Sequence, residues 1–222
     1  MSASPLTADL FETNADVGPS QEKIAEGAVL LRGFAKAFEA ELIADLHKIV
    51  EQAPFRHMVT PGGQQMSVAM TNCGRIGWVT DRAGYRYDAG DPETAKPWPA
   101  MPPSFCRLAG EAADRAGFSG FAPDACLINR YQPGAKMSLH QDKDELDFGA
   151  PIVSASLGLP AIFLFGGLKR SDRPRRFRLQ HGDVVVWGGP ARLVFHGVAP
   201  LADGEHPLLG VQRINLTFRK AR

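Results

Sequence analysis

The chain has 222 residues, enough for one substantial domain and too few for two generous ones. Hydrophobic residues make up 44% and charged residues 22%, which excludes a disordered or low-complexity protein, and 25 basic against 24 acidic residues leave a formal charge of +1, which excludes a uniformly basic polyanion binder. Cys73, Cys106 and Cys126 are odd in number and too dispersed for a zinc or redox motif, so a reducing compartment is expected and a disulfide framework is not.

From Met1 to Phe11 no basic-then-apolar signal pattern occurs, and no apolar run in the chain reaches membrane-spanning length, so a cytoplasmic protein without membrane association is expected. Residues 1–20 predict an extended arm, with the same mixture of Ser, Pro, Thr and acids running on to about Glu26, ahead of a single domain over 21–222. Ala28 to Leu31 reads as a short strand. From Phe38 to Gln52, Phe38, Leu42, Ile43, Leu46, Ile49 and Val50 recur at helical spacing, with Glu39, Glu41, Asp45 and Lys48 mostly opposite, which predicts an amphipathic helix. Met58 to Asp91, rich in Gly, Thr, Asn and aromatics, predicts hairpins and loops. A second helix is expected from Ser104, which can cap it, to Ala116, with Gly117 ending it.

Beyond Pro123 the pattern changes to short strands between turn signals: Ala125–Tyr131, Lys136–Asp142, Ile152–Leu157, Ala161–Phe165, Phe177–Leu179, Asp183–Trp187, Leu193–His196 and Val211–Arg219. A mainly β fold of jelly-roll type with supporting helices accounts for them.

Period-two alternation in Lys136 to Asp142 puts Ser138, His140 and Asp142 on one face. A His-x-Asp pair needs a third ligand from a distant strand to form a two-histidine, one-carboxylate face that leaves metal positions open, and His196 is the candidate. In the last strand Ile214, Leu216 and Phe218 share one face, while Arg213, Asn215, Thr217 and Arg219 share the other. Guanidinium groups turned into a cavity require anionic partners, because an unpaired buried charge is very costly. A dicarboxylate would supply them, with Arg213 making a bidentate pair and Asn129 and Tyr131 adding neutral hydrogen bonds. Solvated arginines on an exposed edge strand are the alternative. Trp78, Tyr85 and Tyr87 can stack on an extruded base or pack a core. Lys169 to Arg178 holds six basic residues in ten, enough to meet phosphates, although such a turn can also be simply solvated.

Several segments resemble the AlkB family of alkylated-DNA repair dioxygenases. They are Met58 to Gly63, Met66 to Gly74, Pro123 to Tyr131, His140 to Glu145, Gly182 to Gly189 and Asn215 to Arg219, together with the His-x-Asp, distant His and Arg-x5-Arg combination. The resemblance implies a double-stranded β-helix core at about 123–222 and a nucleotide-recognition lid at about 57–92. It implies Fe(II) held by His140, Asp142 and His196, with 2-oxoglutarate and O2 as cosubstrates. It places Asn129, Tyr131, Arg213, Asn215 and Arg219 at the 2-oxoglutarate site, Arg219 beside the carboxylate nearer the metal. Trp78 and Tyr85 match lid aromatics, Asp144 an acidic residue that reads the exocyclic amine of the damaged base, and Thr60, Met70 and Arg170 further substrate contacts. The implied reaction is oxidative dealkylation of N1-methyladenine and N3-methylcytosine type lesions, releasing formaldehyde, succinate and CO2. The implied partner is alkylated DNA, single strands preferred, and RNA as well, met by a monomer. A same-fold dioxygenase acting on a protein or small molecule, a zinc hydrolase and a non-catalytic jelly-roll binding module remain alternatives at this point.

Overall fold

A computed structural model describes residues 20–222, so most of the expected arm lies outside the described residues. The arm does not run on to Glu26: Gln21–Ala25 is a strand, β1, which pairs antiparallel with β2, Ala28–Leu31, across a turn at Gly27. A 3-10 turn at Phe34–Phe38 leads into α1, Glu39–Gln52, and three strands follow: β3 Ala69–Gly74, β4 Gly77–Asp81 and β5 Gly84–Asp88. Helix α2 spans Pro103–Arg115, and then come β6 Ala125–Tyr131, β7 Met137–His140, β8 Ile152–Gly158, β9 Ala161–Phe165 and β10 Arg175–Leu179. The chain closes with β11 Val184–Trp187, β12 His196–Val198 and β13 Arg213–Arg219.

One antiparallel sheet of seven strands runs β1-β2-β11-β8-β13-β6-β3, and a second of four runs β10-β9-β12-β7. From β6 onward the chain moves back and forth between the two sheets, which is the mainly β jelly-roll architecture expected from the strand pattern. Strands β4 and β5 form a separate hairpin with Trp78 opposite Tyr87.

Both helices cover the outer face of the large sheet. Leu42, Leu46 and Ile49, one helical turn or two apart, are buried against it, and Glu39 and Glu41 in the first turn favour the positive end of the α1 dipole. From the sheet side, Ile214, Leu216 and Phe218 of β13 enter the same cluster, with Phe218 edge-on to Phe105 of α2 at 5.8 Å. The opposite face of β13, Arg213, Asn215, Thr217 and Arg219, points between the sheets. Ser104 does not cap α2; Pro102 precedes the helix and the Ser104 hydroxyl donates to Asp45 of α1. Gly117, with φ of 88°, ends the helix in the left-handed region as expected.

Two strands are shorter than alternation suggested and a third is displaced. β7 stops at His140, leaving Asp142 outside the ladder; β13 starts at Arg213, because Gly210 to Gln212 are held in a turn. His196 begins its strand and does not end it. A 3-10 turn at Gly189–Ala191 and the buried Arg192 hold the segment that was expected to be strand.

At the end of β8, Gly158 has φ of 86°, and a Cβ there would lie 2.4 Å from the Gln212 carbonyl oxygen. Gly158→Ala is therefore expected to lower stability by about 1–3 kcal/mol; a denaturant midpoint equal to wild type would show that the turn relaxes freely.

Candidate active site

The polar face of β13 and the inner face of β6 form one wall of a cavity between the sheets, lined in part by Asn129, Tyr131, Arg213, Asn215 and Arg219. His140 and His196 face them from the small sheet, where β7 and β12 pair His140 directly with His196. That pairing requires close approach at Gly197, whose Cβ would sit 2.6 Å from the Met137 carbonyl oxygen.

His140, Asp142 and His196 offer ligand atoms that all lie within 4.8 Å of one another. Each histidine Nδ1 faces a backbone carbonyl, Ser138 at 2.8 Å and Val194 at 3.0 Å. A carbonyl only accepts, so both protons sit on Nδ1 and both Nε2 lone pairs are free. The Nε2 atoms stand 3.5 Å and 3.8 Å from the Asp142 carboxylate. Burial, reinforced by His140, pushes His196 down to about 4, so it is neutral at physiological pH. Burial alone would raise the Asp142 carboxyl, but the Arg219 guanidinium and the two histidines outweigh it and hold the group below the usual carboxylate range. Two imidazole nitrogens and one anionic oxygen converging on one side are a donor set that suits a divalent iron.

The two arginines are in different states. Arg219 gives Asp142 Oδ2 two hydrogen bonds, at 2.7 Å from Nη2 and 3.0 Å from Nε. Arg213 is 1% exposed and donates only to Ser156, at 2.9 Å; among the described residues its Nε and Nη1 have no acceptor, and burial lowers its pKa. The Tyr131 ring lies under that guanidinium at 5.0 Å. Asn129 Oδ1 is likewise buried without a partner. A buried cation with two unsatisfied donors fits a carboxylate ligand. Asn215 is differently placed: its amide donates to Ser154 and Ala155, and its oxygen accepts from Thr217, so it ties β13 to β8.

The expected substrate residues divide into two groups. Trp78 stacks on the half-exposed Tyr85 with ring centroids 5.7 Å apart, and its Nε1 donates to Asp144 Oδ2 at 2.8 Å. Asp144, two residues along the chain from Asp142, thus joins this aromatic pair, and none of the three lines the cavity itself. Met70 is buried in β3 opposite Asn129. Thr60 lies outside the cavity lining and its hydroxyl accepts from the Gln64 amide, closing a local turn. Arg170 is exposed on the basic turn, with its guanidinium 6.0 Å from the Phe195 ring next to His196.

Sequence reasoning missed Ser154 and Ser156 beneath the β13 side chains, Trp187 packed 4.9 Å from the His196 ring, and the buried charges of Glu145 and Arg192. Only alternation could have flagged the serines, since both share the inward face of β8; nothing local marks Glu145 or Arg192 as buried.

Residues 27–219 match the model of the 2OG-Fe(II) oxygenase superfamily. The chain is 62% identical over 213 residues to the Alpha-ketoglutarate-dependent dioxygenase AlkB of Escherichia coli, covering 96% of this chain and 97% of that protein. It is 36% identical to the mouse Nucleic acid dioxygenase ALKBH1 over 135 residues, 59% of this chain and 34% of that protein. A solved structure of OsALKBH1 superposes with a TM-score of 0.81 at 29% identity, covering 90% of this chain and all of that one. The fold, the converging His-Asp-His donors and this identity over nearly the whole length establish that the chain belongs to the AlkB family within the 2-oxoglutarate–iron(II) oxygenase superfamily.

Proposed function

We propose that this protein repairs alkylated nucleic acid by oxidative dealkylation of N1-methyladenine and N3-methylcytosine type lesions, releasing formaldehyde, succinate and CO2. The observation that carries the reading is the pairing of two free Nε2 lone pairs and a carboxylate with a neighbouring buried guanidinium that lacks two acceptors. Iron(II) and 2-oxoglutarate, when bound, supply the oxygen-activating chemistry that oxidises the alkyl carbon. In this reading His140, Asp142 and His196 hold the metal, and Arg213 pairs with the far carboxylate of 2-oxoglutarate, assisted by Asn129 and Tyr131. Arg219 serves the carboxylate nearer the metal, and Asn215 keeps β13 and β8 in register beneath it. Apolar walls from Leu127, Phe163 and Trp187 keep water from the reacting carbon.

Methylation at N1 of adenine or N3 of cytosine blocks the pairing edge and makes the ring cationic. Such a base unstacks easily and is drawn to the face of Trp78 and Tyr85 and to the carboxylate of Asp144. Met70 and Thr60 complete the lid side, and Arg170 on the basic turn meets a phosphate. The names borne by the mouse relative above and by the fission yeast tRNA demethylase abh1 support a polynucleotide substrate. We take 57–92 as the lid and 123–222 as the catalytic core of one domain over 21–222, acting as a cytoplasmic monomer that prefers single-stranded DNA and also accepts RNA. Among the described residues no helix is long and apolar enough to cross a membrane.

Incubating the protein with Fe(II), 2-oxoglutarate and an oligonucleotide bearing N1-methyladenine should lower the strand mass by one methylene, with single strands turned over faster than duplex and free nucleoside slowest. His140→Ala should abolish the change, and demethylation that survives it would contradict the assigned ligand. Arg213→Met separates the two roles of its charge. Losing a charge-assisted carboxylate contact of about 1.5–3 kcal/mol should raise the KM for 2-oxoglutarate roughly tenfold to a hundredfold. Relieving an unpaired buried cation should stabilise the protein without cosubstrate by about 1 kcal/mol or more. An unchanged KM would remove Arg213 from the cosubstrate site.

A further inference from the structure

Glu145 is 5% exposed, an uncommon position for a carboxylate, and both of its oxygens are engaged. Oε2 accepts from Arg192 Nη2 at 3.0 Å, and Oε1 accepts from the Tyr87 hydroxyl and lies 3.4 Å from Arg219 Nε. Arg192, itself 3% exposed, donates through Nη1 to the Asp142 carbonyl oxygen at 2.7 Å and through Nε to Ala150. Glu145 thus touches both arginines that fix Asp142, one through its backbone and one through its carboxylate.

The other end of this cluster is the β4–β5 hairpin. Trp78 and Tyr87 are cross-strand partners, and they donate to consecutive carboxylates, Trp78 to Asp144 and Tyr87 to Glu145. Burial raises the Tyr87 phenol well above its ordinary value, so it stays a donor at any physiological pH. Among the described residues the hairpin makes no ladder with either the seven- or the four-stranded sheet, and its backbone is tied to β3 only through the Trp78–Asn72 pair. These two side chains are therefore its polar attachment to the segment that carries Asp142.

We propose that Glu145 and Tyr87 are positioning residues that couple the β4–β5 hairpin to the Asp142 carboxylate, so that a metal at the triad and the aromatic pair on that hairpin are set together. The physical reason is charge sharing at Arg219. With Glu145 beside it, the Arg219 guanidinium is neutralised by two carboxylates, and Asp142 keeps donor strength for a cation. Without that charge, Asp142 is the sole counter-ion of Arg219 and is drawn away from the metal side. Conversely, with Asp142 engaged by a bound metal, Arg219 would lean more on Glu145, which would in turn hold Tyr87 and the hairpin more firmly. The inference rests on the reading of His140, Asp142 and His196 as metal ligands, and on no particular substrate.

The test uses the full chain and Mn(II) as a probe, without oxygen turnover. Glu145→Gln keeps the side-chain shape and one acceptor oxygen and removes the charge; it should bind Mn(II) roughly 10–100-fold more weakly, and Glu145→Asp should recover part of that loss. Hydrogen exchange then reads the far end: Mn(II) should slow exchange of the 77–88 amides in the wild type, and Tyr87→Phe should abolish that slowing. Tyr87→Phe leaves no buried charge unpaired, so it decides the matter if Glu145→Gln does not fold. Wild-type Mn(II) affinity in folded Glu145→Gln, or a hairpin response to Mn(II) that persists in Tyr87→Phe, overturns the coupling. A wild-type chain that binds no Mn(II) overturns the ligand reading itself, whereas Mn(II) binding without oligonucleotide demethylation would strike only the substrate proposal.

Discussion

Two guanidinium groups on the inward face of β13 are the constraint around which the site is built. A strand flanked by β8 and β6 inside a seven-stranded antiparallel sheet gives Arg213 and Arg219 no route to bulk water, and both are almost fully buried. The interior must therefore supply anions or leave a charge unpaired, at a cost of several kcal/mol per ion. Asp142 and Glu145 answer Arg219, and Glu145 also answers Arg192. Arg213 has no carboxylate among the described residues, and that deficit is what shapes the pocket for an anionic cosubstrate.

The same charges set the protonation states that a metal requires. Backbone carbonyls fix the proton of each histidine on Nδ1, and Arg219 keeps Asp142 ionised despite its burial. No proton has to be displaced from His196 or Asp142 near neutral pH for a divalent cation to bind. The donors come from three different places: a strand end, the loop just beyond it, and the first residue of a strand in the same small sheet. Such a site depends on sheet pairing to within fractions of an ångström. Gly197 permits that pairing, because any side chain there would push β12 from β7.

Stability and chemistry pull apart in this arrangement. The helix-covered face of the large sheet is packed with aliphatic and aromatic side chains, whereas the face between the sheets carries buried polar atoms without partners. Proteins commonly tolerate such local strain where ligands bind, and the apolar layer of α1 and α2 against β13 provides the compensating burial. The hairpin of β4 and β5 is held by its own set of contacts: Trp78 and Tyr87 donate to Asp144 and Glu145, the Trp78 backbone pairs with the Asn72 amide, Thr80 donates to the Val59 carbonyl, and Val79 and Tyr87 are buried.

Sequence by itself determined the parts governed by local periodicity. Alternation in β13 separated Ile214, Leu216 and Phe218 from Arg213, Asn215 and Arg219, and helical spacing placed α1 within one residue of its observed start. Alternation also brought His140 and Asp142 to one side, although the strand ends before Asp142. It failed where side chains from afar set the backbone: Arg192 and the 3-10 turn before His196 displaced the expected strand, and Asp45 took the Ser104 hydroxyl from its capping role. Only the tertiary structure decided that Glu145 and Arg192 are buried, that Arg213 lacks an acceptor, and that Tyr87 reaches a residue 58 positions away. Burial and charge pairing depend on which neighbours the sheets bring together across long separations, and no short stretch of chain encodes them alone.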